Sequence, residues 1–361
     1  MRITDVRAVQ PPSEGGPQDW RATLGQILVA VEMDTGVRGI GVGGGGMAGV
    51  HVIESTLRPL LVGEEVDGVA EIERLWEKLW HATLAYGRKG LAIMAISGID
   101  LALWDAVARA ADVSVYQLLR GVIPESGTPL DGTARSGGVV RVPCYITGPA
   151  PEDAVARGFR AVKLPCGTMT PEESIARVAD VRRRVGPDVQ LMVDAFGQWD
   201  LRGSLRAADA MARHDVGWLE EPLPPDDLEG YAKLAAQSPV PIAGGEHEYT
   251  VHGFRELAAH GAHHVWQPDV CWTGGLTQLR AIYALARVHG VRVVPHRGAE
   301  VWSLHAIAAL DPDPLAESGR PWLTWLHDQP QPEAGYVAVP GTPGFSVEAD
   351  DALAESEQER K

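Results

Sequence analysis

Five acidic or imidazole side chains recur along the second half of the chain, each behind a short apolar run and ahead of a Gly- or Pro-containing turn. They are Asp194 after LMV, Glu220 in GWLEEP, Glu246 in PIAGGEHE, Asp269 in HHVWQPD and His296 in VRVVPH. Their numbers set the intervals at 26, 26, 23 and 27 residues. A parallel strand plus the helix that returns the chain needs about 20–40 residues. Each group is therefore expected at the C-terminal end of a parallel strand, where a β/α barrel builds its active site.

The residue types divide the series in two. Asp194, Glu220 and Glu246 would end three adjacent strands, and three neighbouring carboxylates repel one another unless something holds them. A hard divalent cation does so, and an all-oxygen ligand set favours Mg²⁺ over Zn²⁺. Any one of these acids could instead pair with a Lys or Arg at the barrel rim; three in register argue for the metal. Asp269 and His296 would end the next two strands. An Asp on one imidazole nitrogen fixes the tautomer and raises the basicity of the other, so His296 is the candidate general base. Lys163, in FRAVKLP, ends an earlier strand and can neutralise a carboxylate of the substrate or of the metal shell.

Positioning these groups takes eight strands, expected at 141–147, 159–165, 189–194, 216–220, 240–245, 263–267, 291–296 and 314–317, with amphipathic helical patterns between them. Strand–helix alternation of this length argues for a closed barrel over an open sheet. Residues 2–9, 24–33 and VRGIGVG read as a three-strand meander with a turn at Asp34-Thr35-Gly36. Residues 50–120 read as helices. The last of them, RKGLAIMAISGIDLALWDAVARAA, is apolar on most sides and should lie buried between domains. Asp100 and Asp105 on it are expected as caps or ion-pair partners. The fold class is α/β: a modified (β/α)7β TIM-type barrel with an α+β capping domain. The expected division is 1–135 for the capping domain and 136–326 for the barrel. Residues 327–361 would return as extended structure to the capping domain, with frayed last residues. The glycines of Gly43–Met47 do not fit a phosphate-binding loop and read as a mobile lid or a flexible connection.

The formal net charge of −16 argues against nucleic acid or an anionic membrane as partner. No apolar run is seen to approach the roughly 18 residues that span a bilayer. The N-terminus alternates like a strand and lacks the apolar core of a signal peptide, so a cytoplasmic location is expected. Cys144, Cys166 and Cys271 are odd in number and unpaired in spacing, and read as reduced, small apolar fillers.

The chain resembles the enolase superfamily, mandelate racemase subgroup, over essentially its whole length. The resemblance rests on AISGIDLALWDAVARA, on Asp194, Glu220 and Glu246, and on QPDVCWTGG with Asp269, His296 and Glu317. Within the subgroup it is most similar to the L-rhamnonate dehydratase-like acid-sugar dehydratases, through YGRKGLAIMAISGIDLALWD, WLEEPLPPDD, GGEHE, QPDVCWTGGLT and VVPH. It implies Mg²⁺, a capping domain made from both chain ends, a small-molecule carboxylate substrate, a homo-oligomer, and a reaction that begins by removing the proton α to the carboxylate. It also implies Glu317 as a hydrogen-bond donor to a carboxylate oxygen, if protonated; a surface acid is the alternative.

Two departures matter. The racemases carry Lys-x-Lys on the second strand, and the second lysine is the base for one face of the substrate; here the string is Lys163-Leu164-Pro165. One base is lost, which favours dehydration to a 2-keto-3-deoxy acid over racemisation, epimerisation or cycloisomerisation. A non-catalytic binding protein and a Schiff-base aldolase using Lys163 are the readings from other classes. The second departure is Arg297 where the rhamnonate-like enzymes have glycine directly after the histidine. The N-terminal loop offers Trp20 and Arg21 in place of an evident His and paired arginines. Arg21, Arg297 and His247 are the candidate substrate contacts, and one of Trp199, Trp266, Trp272 and Trp302 could face a sugar.

Overall fold

A computed structural model describes residues 1–12, 25–121, 139–320 and 323–350. The alternating N-terminal segments form an antiparallel meander, β1 (Ile3–Val9), β2 (Ile27–Met33) and β3 (Arg38–Gly43). The chain continues through α1 (Gly46–Val52), a π-helical turn (Ile53–Leu57) and α2 (Arg58–Leu61), then α3 (Val69–Thr83), α4 (Leu91–Ala110) and α5 (Val115–Leu119). Residues 43–49 are thus the end of β3, a turn and the start of α1, not a free lid.

α4 lies directly on the meander because β3 offers it no side chains. Gly39, Gly41 and Gly43 alternate along one face, and a Cβ built on them would meet Ala102 O at 2.1 Å, Gly98 O at 2.3 Å and Met94 O at 2.5 Å. Their partners recur every four residues along the helix, so a period-two strand face meets a helical stripe at backbone distance. By length and composition α4 could cross a membrane, contrary to the expectation that no such run exists. Yet 89% of that window is buried, between the meander, α3 and a barrel helix, and its apolar faces are core surface. Asp105 accepts from the N–H groups of Ile40 (2.9 Å) and Phe345 (2.7 Å) and pairs with Arg109 at 2.7 Å. Asp100 accepts from the Thr277 N–H and hydroxyl at 3.0 and 2.5 Å. Both acids are structural, as expected.

The barrel follows as β4 (Arg141–Thr147), α6 (Pro151–Ala156), β5 (Ala161–Pro165), α7 (Pro171–Val185), β6 (Gln190–Asp194), α8 (Leu201–Ala212), β7 (Val216–Glu220) and α9 (Leu228–Gln237). It continues with β8 (Ile242–Gly244), α10 (Thr250–His260), β9 (Val265–Trp266), α11 (Gly275–His289), β10 (Arg292–Val293), α12 (Val301–Leu310) and β11 (Ala316–Glu317). Neighbouring strands pair in parallel from β4 to β10, and β11 pairs with β4, bringing the eighth strand beside the first. Seven helices alternate with eight strands, the (β/α)7β arrangement. A separate buried cluster fills the interior with Tyr145, Ala161, Met192, Trp218, Ala243, Val265, Val294 and Leu315, one residue from each successive strand or its margin. The last strands are shorter than expected. Pro268 and Pro295 carry no N–H to extend the ladder, so Asp269 and His296 stand in the loops just beyond β9 and β10.

The C-terminal segment contributes β12 (Leu326–His327), β13 (Tyr336–Ala338) and β14 (Glu348–Ala349). β13 pairs antiparallel with β4 of the barrel, not with the meander. The expected return begins only later, where Gly344 and Val113 bond and Phe345 reaches Asp105. The expected boundary near residue 135 lies outside the described residues.

Candidate active site

The interior cluster places the chemistry. On a strand, residue i+2 faces the same way as residue i, one layer further along. Two residues beyond Tyr145, Ala161, Met192, Trp218, Val265, Val294 and Leu315 stand Thr147, Lys163, Asp194, Glu220, Gln267, His296 and Glu317. The polar set is the next layer of the barrel, at its C-terminal mouth. Above it opens a cavity of about 450 Å³ that meets Gln26, Gly45, Leu91 and Met94 from the capping segment. Asp194, Glu246, Lys163, His247, Asp269, His296, Arg297 and Glu317 line it, with Phe196, Tyr249, Trp272 and Arg320. Of the four tryptophans considered, only Trp272 faces this cavity. Arg21 lies outside the described residues.

Lys163 is the buried hub. Its ammonium lies 2.5 Å from Glu220, 2.9 Å from Glu317 and 3.9 Å from Asp194. Burial alone would favour the neutral amine, but Glu220 and Glu317 outweigh it and hold the group charged. Glu220 has its second oxygen bound by Gln267 (2.7 Å) and the Trp218 indole (3.1 Å). Burial pushes Glu220 up to about 8 and Asp194 up to about 6, against the pull of Lys163. Both shifts record the cost of crowding like charges out of water.

Glu246 faces two histidines, 2.8 Å from His296 Nδ1 and 3.7 Å from His247 Nε2. Burial works to raise it, but the imidazoles outweigh burial and bring it to about 2. His247 Nδ1 meets Glu221 at 2.7 Å, and against its own burial is raised to about 9. The oxygens of Glu220 and Glu246 with His296, and of Glu221 and Glu246 with His247, are spaced as metal ligands are. Asp194 shares the basin but does not belong to either tight group. The donor chemistry fits a divalent cation: Glu246 Oε2 is buried with no aligned hydrogen-bond donor, amid an excess of carboxylates.

Two expectations are corrected. Asp269 does not hold the His296 ring: Nε2 lies 3.9 Å from Asp269 Oδ2, beyond hydrogen-bond reach. Nδ1 turns instead to Glu246 and, at 3.3 Å, to Glu317, while Arg297 Nε donates to Nε2 at 3.2 Å. These neighbours make opposite demands. The acids favour the imidazolium, and against its burial bring His296 to about 10; the Arg297 bond requires a lone pair on Nε2, hence the neutral ring. Asp269 accepts from the Cys271 N–H at 2.8 Å, and burial raises it against the pull of Arg320. Second, Glu317 is an acceptor, not a protonated donor. Lys163, His296 and Arg297 overcome its burial and hold it well below the usual carboxylate range. It accepts from the Thr147 hydroxyl and from the Arg297 N–H, the latter at 3.0 Å.

Sequence reasoning gave Glu221, the second acid of GWLEEP, no role of its own and missed Gln267, Trp218 and Thr147. The last three could have been found by stepping two residues along each strand. Glu221 gives no such signal, because it leaves strand geometry: its φ is 36°, and Phe196 (51°) and Arg297 (56°) turn the chain left-handed in the same way after Asp194 and His296.

Residues 17–120 match the family described as mandelate racemase / muconate lactonizing enzyme, N-terminal domain, and residues 150–353 match the enolase C-terminal domain-like family. The L-rhamnonate dehydratase of Saccharopolyspora erythraea is 36% identical over 342 residues, covering 90% of this chain and 83% of that protein. Rhamnonate dehydratase from Gibberella zeae complexed with Mg superposes with a TM-score of 0.83 at 28% identity, over 99% of this chain and 95% of the other. The 3,6-anhydro-D-galactonate cycloisomerase of Zobellia galactanivorans gives 0.81 at 27% identity, over 99% of both chains.

Proposed function

This chain belongs to the enolase superfamily, in the mandelate racemase and muconate lactonizing enzyme branch, and from that premise we propose that it is a Mg²⁺-dependent dehydratase of a sugar acid. The reaction removes the proton α to the carboxylate of an aldonate and expels the β-hydroxyl, leaving a 2-keto-3-deoxy acid. One observation carries this reading: among the described residues, the site has a base on one side only. His296 faces the cavity, while β5 ends in Lys163, held between Glu220 and Glu317, and in Pro165, which is exposed and has no group to accept a proton. The relatives named as L-rhamnonate dehydratases support the same outcome.

Asp194, Glu220 and Glu246 are the proposed metal ligands. Bound there, Mg²⁺ supplies Lewis-acid stabilisation of the charge that develops on the substrate carboxylate. Enolase-superfamily sites pair a Lys or His base with Mg²⁺ in this way, and that pairing is taken from the family. Lys163 adds its ammonium to the same charge. His296 takes the α-proton and then gives it to the departing hydroxyl, so a single residue serves both steps on one face. Asp269 backs the ring electrostatically, and Glu317 holds Lys163 and Arg297 in place. His247 and Arg297 are proposed substrate contacts.

A panel of aldonic acids with Mg²⁺, assayed for the keto-acid product, tests the reading. α-Proton exchange in D₂O without keto acid would favour the second reading, cycloisomerisation, which the likeness to the Zobellia enzyme supports. We also propose a cytoplasmic homo-oligomer acting on a small carboxylate, with no nucleic-acid or membrane partner; light scattering on the purified protein checks the assembly.

A further inference from the structure

Arg297 holds a backbone conformation that favours glycine, with φ 56°. A long charged side chain persists in such a conformation only where its surroundings over-determine it, and such residues cluster at working sites. Among the described residues two bonds hold this one: its N–H donates to Glu317 Oε2 at 3.0 Å, and its Nε–H donates to His296 Nε2 at 3.2 Å. The other ring nitrogen faces Glu246 and Glu317, at 2.8 and 3.3 Å. The guanidinium therefore stands on the cavity wall at the ring nitrogen whose lone pair is on offer.

That lone pair cannot accept a hydrogen bond and a proton together. Before His296 takes the α-proton, the guanidinium must leave Nε2. What it meets next is the part of the substrate beside the ring. In a syn-elimination this is the β-oxygen, which departs from the face that lost the proton. An arginine does not surrender a proton at ordinary pH, but it donates a charge-assisted hydrogen bond to an oxygen that is gaining negative charge.

We infer that Arg297 passes its hydrogen bond from His296 Nε2 to the departing β-oxygen, and is a catalytic residue for the elimination half of the reaction. The inference rests on the dehydration reading above. The step balances. His296 takes the proton from Cα, and the C–H electron pair becomes the enediolate. The enediolate collapses to form the Cα–Cβ double bond as the Cβ–O bond breaks. The oxygen keeps that electron pair, receives the proton held by His296 and leaves as water. The enol so formed tautomerises to the 2-keto-3-deoxy acid.

The test separates the two halves. The best aldonate from the Mg²⁺ panel is incubated in D₂O with the wild type and with Arg297→Gln, Arg297→Lys and Arg297→Gly. Deuterium entering recovered substrate at Cα reports proton removal, and keto acid reports elimination. Arg297→Gln should slow elimination by about 100-fold and exchange far less, so that the ratio of exchange to elimination rises. Arg297→Lys should recover part of the elimination. Arg297→Gly, which suits the backbone, should behave like Arg297→Gln. Equal losses of both rates, or no change in either, would overturn the inference and leave the dehydration reading standing. A wild type that yields keto acid from no aldonate overturns the dehydration reading, and this inference with it.

Discussion

Lys163 Nζ stands 2.9 Å from Glu317 Oε1, although the two residues are carried by the second and eighth strands of the barrel. β4 lies between those strands, and its Thr147 hydroxyl also donates to Glu317. The ammonium thus closes the barrel mouth electrostatically where backbone pairing is sparse. Removing it leaves Glu220 and Glu317 buried without their cation. Lys163→Met should therefore cost about 3–5 kcal/mol of unfolding free energy, read by urea denaturation of the metal-free protein. A loss below about 1 kcal/mol would mean that the acids protonate and need no partner.

His296→Asn keeps the size of the group near Arg297 but cannot carry the proton. Turnover of the best aldonate and α-proton exchange should both fall by at least about 100-fold, with circular dichroism unchanged. Retained exchange would assign the base elsewhere.

The crowded carboxylates predict a large response to cation. After dialysis against chelator, Mg²⁺ at 100 times its dissociation constant should stabilise the fold by about 2.7 kcal/mol, seen as a rise in Tm. Glu246→Gln should remove most of that rise. An equal rise in the variant would place the ion away from Glu246.

Asp100 gives a pH dependence of definite sign. Burial pushes it up to about 7, with the Thr277 hydrogen bonds opposing, against an ordinary value of 3.8. The native state therefore keeps a proton that the unfolded chain releases. That contribution to stability is complete below about pH 3.8 and is lost as pH rises through about 7. Relative to Asp100→Asn, the wild type should lose at most about 1.4 kcal/mol per pH unit across that window. Denaturation curves at several pH values check this; parallel pH profiles for the two proteins would contradict it.

Gly41→Ala tests the helix–sheet contact. The added Cβ would sit 2.3 Å from Gly98 O and 2.6 Å from Ala102 N. Backbone cannot step aside as a side chain can, so the substitution should cost about 3 kcal/mol. A near-neutral variant would show that α4 is free to lift.

The strand-end series was readable because each member follows an apolar run at a spacing that only strand–helix repeats produce. The same logic yields Lys163 and the meander, and the long apolar helix declares its burial by lacking a polar face. Contacts that depend on rotamers were not readable. The partner of the His296 ring is decided by Glu246, Glu317 and Arg297, which come from two loops and one strand end, and sequence spacing gives no means of ranking Asp269 below them. The charge state of Glu317 was not readable either, because its partners Lys163 and Arg297 lie 154 and 20 positions away along the chain. The glycines of β3 do not declare their role: Gly43–Met47 reads as a flexible connection, because flexibility is the commoner reason for a glycine run and close approach leaves no local mark.

Those glycines reach further than the core. Met94, whose carbonyl faces Gly43, also lines the cavity, as do Gly45 and Leu91 at the ends of the same contact. The ceiling of the chamber hangs at the height that α4 takes on the meander. Adding a methyl group beneath that helix would raise the ceiling without altering any residue that a ligand touches. Chamber headroom, and with it the length of acid admitted, is open to tuning from the far side of the capping layer.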